Sequence, residues 1–385
     1  MARERMIQAE PEVRRGHARR RQINRQHRRR RRREFTAGHL SPAGGFRISF
    51  PRVRIPFFRL VAGLVLAVVL LIGVVLFLRG LKPAEVQVLP NALWLGTEWT
   101  YEIHESHDIR ELASRLRDHE IGTVYAWVSW LQGDNTWRGA ELFNRVKVFA
   151  SQLKAESPDL ALLGWISLPV HLDEDGYRLD DPELQQIVAD FSSSVVRELG
   201  FDGVFLDIEP VWDGDSHFVD LLRKVRLRLG ESVPVSVAVP PDWSPLDADI
   251  PVPELILPGT EWSRSYKQNV ALLSDQMAVM GYNSGLAAAR DYETWMAYQV
   301  QTFAEAVSAL GEGTVLLIGI PTYDAEPPGH DPEVENVVTA LNGLRAGLVA
   351  AGPAAAWVQG AAIFSDWETD PAEWEQFQLL AVEGR

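Results

Sequence analysis

Asp207 and Glu209 close a short apolar run, Val204-Phe205-Leu206-Asp207-Ile208-Glu209-Pro210. Val, Phe, Leu and Ile favour extended backbone, so the run predicts a strand, and side chains two positions apart on a strand share a face. Carboxylates are rarely placed on the inner face of an apolar strand unless they are paired or put to use. A salt-bridged pair at a strand end is one reading. The other is acid–base chemistry, in which one carboxyl donates a proton and its neighbour steadies a developing positive charge. The Cα atoms of residues i and i+2 on a strand lie about 6–7 Å apart. That spacing alone does not choose between a carboxylate nucleophile and a nucleophile supplied by the substrate.

The elements that position this pair are read from hydrophobic periodicity. Apolar runs predict strands at Leu93–Gly96, Thr123–Val128, Ala161–Ile166, Gly203–Ile208, Val235–Val239, Gln276–Tyr282, Val315–Ile320 and Gly360–Phe364. Amphipathic patterns predict helices at Ile109–His119, Glu141–Ala155, Pro182–Leu199, Phe218–Leu229, Ser265–Leu273, Tyr292–Leu310, Pro332–Ala351 and Pro371–Val382. Asp181 reads as an N-cap and Gly200 as a C-cap of the third helix. Eight strands alternating with eight helices over residues 91–385 predict an α/β fold, a (β/α)8 TIM barrel. An open doubly wound sheet is the alternative, but no glycine fingerprint follows the first strand.

Active sites of such barrels lie at the C-terminal ends of the strands. Glu98 falls there after strand 1, and Trp127 and Trp130 at the end of strand 2, with Trp137 in the loop beyond. Strand 5 runs into Asp242 and Trp243. Strand 6 contributes Met280, Tyr282 and Asn283, the end of strand 7 Tyr323 and Asp324, and strand 8 Phe364 and Trp367. Flat rings beside carboxylates and amides suit a pyranose, which has apolar C–H faces and polar edges. Trp94 and Trp165 read as core filling.

FDGVFLDIEP, Phe201 to Pro210, resembles the strand-4 signature of the chitinase-type glycoside hydrolases of family eighteen, Asp-x-x-Asp-x-Asp-x-Glu. Asp202, Asp207 and Glu209 stand at its first, third and fourth positions. Met280-Gly281-Tyr282-Asn283 is similar to the family's strand-6 Met-x-Tyr-Asp/Asn, and Gly319 to Tyr323 to its strand-7 Gly-x-Pro-x-Tyr. Gly360 to Glu368 falls where the last strand carries a tryptophan platform for the substrate.

The resemblance spans residues 91–385 and implies a divergent family member. It implies cleavage of β-linked N-acetylhexosamine glycans, chitin-like or peptidoglycan, by a substrate-assisted retaining mechanism. Glu209 is then the general acid, Asp207 orients the 2-acetamido group, and Tyr282 hydrogen-bonds it. Asn283, Met280, Trp127, Trp130, Tyr323, Phe364, Trp367 and Glu98 are the expected substrate contacts.

Two departures from the family pattern stand out. Phe205 occupies the second aspartate position, directly beneath Asp207, so Asp207 loses a like-charged neighbour and is desolvated by a ring instead. The platform position holds Phe364, with Trp367 close by to take the same role. Two other readings fit the residues. One is a barrel that binds glycan without turnover, to which Phe205 points. The other is a glycosidase for another glycan that pairs Glu209 with a second carboxylate such as Glu98 or Asp324.

Charge is divided sharply along the chain. Residues 1–59 hold 18 arginines and four glutamates, a net of +14, whereas residues 60–385 carry a net of −28. The first 59 residues, with Arg28 to Arg33 unbroken, read as a disordered basic tail. Leu60 to Leu78 is uncharged and nearly all apolar, long enough as a helix to span about 28 Å. The sequence predicts a single-pass membrane protein with the tail in the cytoplasm, residues 79–90 as a stalk and the barrel outside. Membrane lipid is then the partner of residues 60–78, which argues against a nucleic-acid role for the tail.

There is no cysteine, hence no disulfide and no thiolate metal site. His104-Glu105-Ser106-His107 is the nearest approach to a metal motif and has no further clustered ligands. No nucleophile elbow or phosphate loop is present, and no cofactor is expected.

Overall fold

Alternation along the strands decides the architecture. A computed structural model describes residues 90–171, 176–242, 261–311, 313–325 and 329–383. The basic tail, the apolar stretch 60–78, the stalk up to residue 89 and Trp243 lie outside the described residues. No helix among the described residues is long and apolar enough to cross a membrane.

Strands β1 (Asn91–Leu95), β2 (Ile121–Trp130), β3 (Ala161–Pro169), β4 (Gly203–Glu209), β5 (Val235–Val239), β6 (Gln276–Val279), β7 (Val315–Pro321) and β8 (Val358–Phe364) run parallel. Each pairs with the next, and β8 closes on β1, which makes the predicted barrel. Helices α1 (Ser106–Asp118), α2 (Phe143–Glu156), α3 (Pro182–Arg197), α4 (Ser216–Leu229), α5 (Arg264–Ala271), α6 (Ala289–Ser308), α7 (Val337–Ala351) and α8 (Pro371–Phe377) follow the strands in turn.

On β4, Val204, Leu206 and Ile208 point out into the main core beneath the helices. Phe205 points in, to a second cluster with Trp94, Tyr125, Leu163 and Trp165. That inner cluster makes the barrel a packed core and not a pore. Phe205 stacks on Tyr125 with ring centroids 4.1 Å apart and meets Trp94 edge-on at 5.6 Å. The Tyr125 hydroxyl stays satisfied by donating to Gln276 at 3.2 Å and accepting from Ser236 at 3.3 Å.

Caps fall largely where expected. The Asp181 side chain accepts from the Glu183 N–H at 2.8 Å, and Gly200 just beyond α3 takes φ +87°, open to glycine at little strain. Two boundaries differ from the sequence expectation. β6 stops at Val279, short of Tyr282, and just beyond it Gly281 packs so closely that a Cβ there would lie 2.5 Å from the Gly319 carbonyl oxygen. The chain leaves the ladder there through the left-handed Asn283, φ +56°. α7 begins at Val337, later than Pro332, because the Asn336 side chain caps the N–H groups of Val338 and Thr339.

Candidate active site

β4 brings Phe205, Asp207 and Glu209 to the inner face in three ascending layers. Asp207 is half-buried, and its Oδ2 accepts from the Trp165 indole N–H at 3.0 Å. The Ser167 hydroxyl bonds it as well. Both donors sit on β3, where Trp165 pairs in register with Phe205, and Ser167 with Asp207. Burial raises the proton affinity of Asp207, while the two donors pull it back toward the ionised form.

Glu209 ends the strand and joins Pro210 through a cis peptide. Water reaches its carboxyl from the mouth of the barrel, but the surrounding strand ends leave it poorly hydrated. That loss of hydration, followed by the charge of Asp207, pushes its pKa up to about 8. Among the described residues no donor reaches the Glu209 carboxyl, whereas Asp207 has two. The proton therefore belongs on Glu209 and the charge on Asp207 at neutral pH.

The β6–β8 flank is tied down. Tyr282 stacks on Phe364 with centroids 4.9 Å apart and planes 16° off parallel. Its phenol is pushed well above its usual pKa by burial and then by the charges of Glu209, Tyr323 and Asp207, so it keeps its proton beside the carboxylate pair. Gly319 permits this, since a Cβ there would lie 3.0 Å from the Tyr282 ring. Tyr323 donates to Asn283 Oδ1 at 2.5 Å.

Behind them lies Glu335, its side chain fully buried. It accepts from the N–H of Asn283 at 2.7 Å and of Ser284 at 2.8 Å, and also from the Ser284 hydroxyl. His330 bridges Glu335, 3.2 Å away, to the Tyr323 carbonyl at 2.9 Å. Sequence reasoning passed over Glu335 and His330, because nothing local marks a loop carboxylate as buried. Met280 packs beneath this flank against the inner cluster. A cavity of about 220 Å³ opens above it between Asn283, Tyr323, Phe364 and Trp367.

The β2–β3 flank is more open. The β2–β3 register shifts between Trp127 and Ser129, a bulge that turns both Trp127 and Trp130 to the site. Trp127 pairs with Trp165, and Trp130 with Ser167, so Trp130, Ser167 and Asp207 form one row across three strands. Trp127 stands edge-on to Trp165 at 4.7 Å and donates to the Tyr101 hydroxyl at 3.3 Å. Tyr101, Trp127, Trp130 and Ser167 border a groove of about 780 Å³. Trp165 was expected as core filling. It is buried, but its N–H also serves Asp207, a contact that needed the register of β3 against β4.

Trp367 is 40% exposed, with its ring 19° from parallel to that of Trp165 at 6.4 Å. Asp366 fixes its loop by accepting from Arg115 and the Trp99 indole, both at 2.7 Å. The other expected residues are held by different partners. Glu98 Oε1 accepts from the Gly96 N–H at 2.9 Å, and the charges acting on it are Asp366 and Glu102. Asp324 acts on Glu373, at the start of α8. Trp137 stacks on Phe191 of α3 at 3.9 Å. Asp202 holds the foot of β3 through Lys154 and the Leu162 N–H, both at 2.9 Å. Glu105 caps α1, and His107 pairs with Glu111 on its surface. Among the described residues no three His, Cys, Asp or Glu side chains cluster as metal ligands would.

No family model matches the sequence, and no curated protein matches it. Solved structures do. The barrel is similar to a chitinase from Bacteroides thetaiotaomicron, with a TM-score of 0.52 at 11% identity, covering 77% of this chain and 96% of that one. It is also similar to a class V chitinase from Pseudomonas fluorescens Pf-5, with a TM-score of 0.50 at 13% identity, covering 75% and 98%. At such identities the likeness establishes the fold, a chitinase-type barrel, in agreement with the motifs on β4, β6 and β7.

Proposed function

We propose that the chain is a glycoside hydrolase cleaving β-linked N-acetylhexosamine glycans, chitin-like or peptidoglycan, by a substrate-assisted retaining route. The observation that carries the proposal is the division between two neighbouring carboxyls. Loss of hydration and then the charge of Asp207 push the Glu209 carboxyl up to about 8, which favours a proton on it at the mouth, and Asp207 below it is held by Trp165 and Ser167. The two chitinases of like fold support it.

Glu209 gives its proton to the glycosidic oxygen as the C1–O bond breaks. The carbonyl oxygen of the sugar's own 2-acetamido group bonds to C1 and forms a cyclic oxazolinium ion. Asp207 accepts from the amide N–H and steadies its positive charge, and Tyr282 donates to the carbonyl oxygen. Water then attacks C1 and gives a proton to the Glu209 carboxylate. The ring reopens with retained configuration and the acid is restored. Trp127, Trp130, Tyr323, Asn283, Phe364 and Trp367 flank the chain of sugars.

The location belongs to the proposal too. Residues 60–78 anchor the protein in a membrane, with the basic tail inside and the barrel outside. Protease added to intact cells should then remove the barrel and spare the tail.

The decisive measurement is release of reducing ends from N-acetylglucosamine oligomers and peptidoglycan glycan. Wild type should cleave, and Glu209→Gln should lose about 10³-fold in kcat, the scale of a general acid. Phe205, in place of the family's aspartate, favours one other reading, a barrel that binds without turnover. If wild type and Glu209→Gln both bind glycan and neither cleaves it, that second reading replaces the first.

A further inference from the structure

Two arginines line the β2–β3 groove, in a part of the chain that is otherwise strongly acidic. Arg138 follows β2, and its guanidinium lies 5.8 Å from the centroid of the Trp130 ring. Arg145, in the first turn of α2, donates to the Tyr101 carbonyl at 2.8 Å. Neither has a carboxylate within ion-pair distance among the described residues. Glu102 lines the same groove without pairing to either.

The backbone carrying Arg138 is fixed at three points. Its N–H donates to the Trp130 carbonyl at 3.1 Å. Its carbonyl accepts from the Ser129 hydroxyl at 2.6 Å and the Tyr101 hydroxyl at 3.3 Å. The next residue, Gly139, has φ +71° and no room for a Cβ, which would meet the Tyr101 hydroxyl at 2.6 Å. The arginine is thus set on a rigid ledge.

The groove adjoins the carboxylate pair at β3, where Ser167 pairs in register with Asp207. Ser167 lines it and also bonds Asp207. Trp130 stands two strands from Asp207 in the same row, roughly 10 Å at strand spacing. That is the distance of a neighbouring sugar, not of the reacting ring. An aromatic face suits a sugar ring there, and two guanidinium groups lining the same groove suit a carboxylate on it.

We infer that this groove is the subsite for a carboxylate-bearing sugar next to the cleaved N-acetylhexosamine. The preferred substrate is then an anionic glycan of the kind left when peptidoglycan strands lose their stem peptides, whose alternate hexosamines carry a free lactyl carboxylate, over neutral chitin. The inference rests on the hydrolase reading of Asp207 and Glu209 for which sugar is cleaved. It does not rest on that reading for what binds.

Binding is therefore measured by calorimetry on the full chain carrying Glu209→Gln. Three oligosaccharides of equal length serve as probes: the N-acetylglucosamine oligomer, the alternating oligomer with free lactyl carboxylates, and the same oligomer with those groups methyl-esterified. The acid form should bind about tenfold more tightly than the other two, the size of one good charge-assisted contact. The advantage should shrink in about 0.5 M salt, where exposed charges are screened. Adding Arg138→Ala and Arg145→Ala, both exposed positions, should bring the three affinities level.

Equal or tighter binding of the neutral oligomer overturns the inference. So does an acid preference that survives the two arginine substitutions, or no measurable binding of any probe. An acid preference without cleavage by wild type leaves the subsite standing and removes the hydrolase reading. Cleavage of the neutral oligomer with no acid preference does the reverse.

Discussion

The two flanks of the Asp207–Glu209 pair are built in opposite ways. On the β6–β8 side, Tyr282, Asn283 and Tyr323 are locked by rings and by a fully buried Glu335 and His330. On the β2–β3 side, Trp130 and Arg138 border an open groove, and the groups holding them, Ser129 and Tyr101, act mainly through backbone carbonyls. A buried carboxylate without partners is costly, and the fold offsets that for Glu335 with three N–H and O–H groups of the β6 loop and the ring of His330. Reaction geometry tolerates little displacement, whereas recognition of a neighbouring sugar tolerates more. The difference predicts that one flank governs turnover and the other affinity.

Between the two flanks, the larger expected effect comes from breaking the rigid one. Glu335→Gln replaces one acceptor oxygen with a donor that faces N–H groups. The β6 loop should loosen, kcat should fall about 10²-fold, the scale of a misplaced reacting group, and KM should change little. Thermal unfolding should show a loss of about 1–3 kcal/mol from the unsatisfied donor. If stability falls while kcat on N-acetylglucosamine oligomers holds, Glu335 braces the loop without positioning Tyr282 or Asn283.

A smaller effect of the opposite kind belongs to the open flank. Trp130→Ala removes a ring from the groove and leaves the carboxylate pair and its donors in place. KM should rise about fivefold, in the range of one aromatic contact, with kcat preserved. A fall in kcat with unchanged KM would mean the reacting ring itself lies against Trp130, and the contrast between the flanks would collapse.

How much of this was legible in sequence follows from how local each signal is. β4 was readable because its alternation puts Val204, Leu206 and Ile208 outward and Phe205, Asp207 and Glu209 inward, a pattern carried by seven consecutive residues. Val235–Val239 was read to the residue for the same reason. The β2 bulge was not legible. It exists only against β3, and without it parity would set Trp127 and Trp130 on opposite faces. Glu335 was missed because its burial is imposed by Asn283 and Ser284, some fifty positions away in the chain. The Trp165 indole illustrates a mixed case. Its burial was foreseeable, and its bond to Asp207 required the β3–β4 register.

The smallest expected effect concerns pH and separates the pair from both flanks. The folded pKa of Glu209, about 8, lies above the ordinary carboxyl value of about 4.3. Between those limits the folded protein holds a proton that the unfolded chain has released, so stability declines as pH rises through that window and levels off above it. Glu373, pushed up to about 7, keeps its own share of that dependence. Glu209→Gln removes the share of Glu209. Its melting temperature should match or trail wild type near about pH 4 and exceed it by a few degrees near about pH 9, a modest gain because water reaches Glu209 and weakens the penalty. The same proton sets the alkaline limb of wild-type kcat, with a midpoint near 8. Trp130→Ala should leave both profiles where they are, and Glu335→Gln should lower both at every pH without moving the limb. An equal gain for Glu209→Gln at acid and alkaline pH would mean that the fold does not hold the proton on Glu209. The acid would then have to be sought elsewhere in the mouth of the barrel.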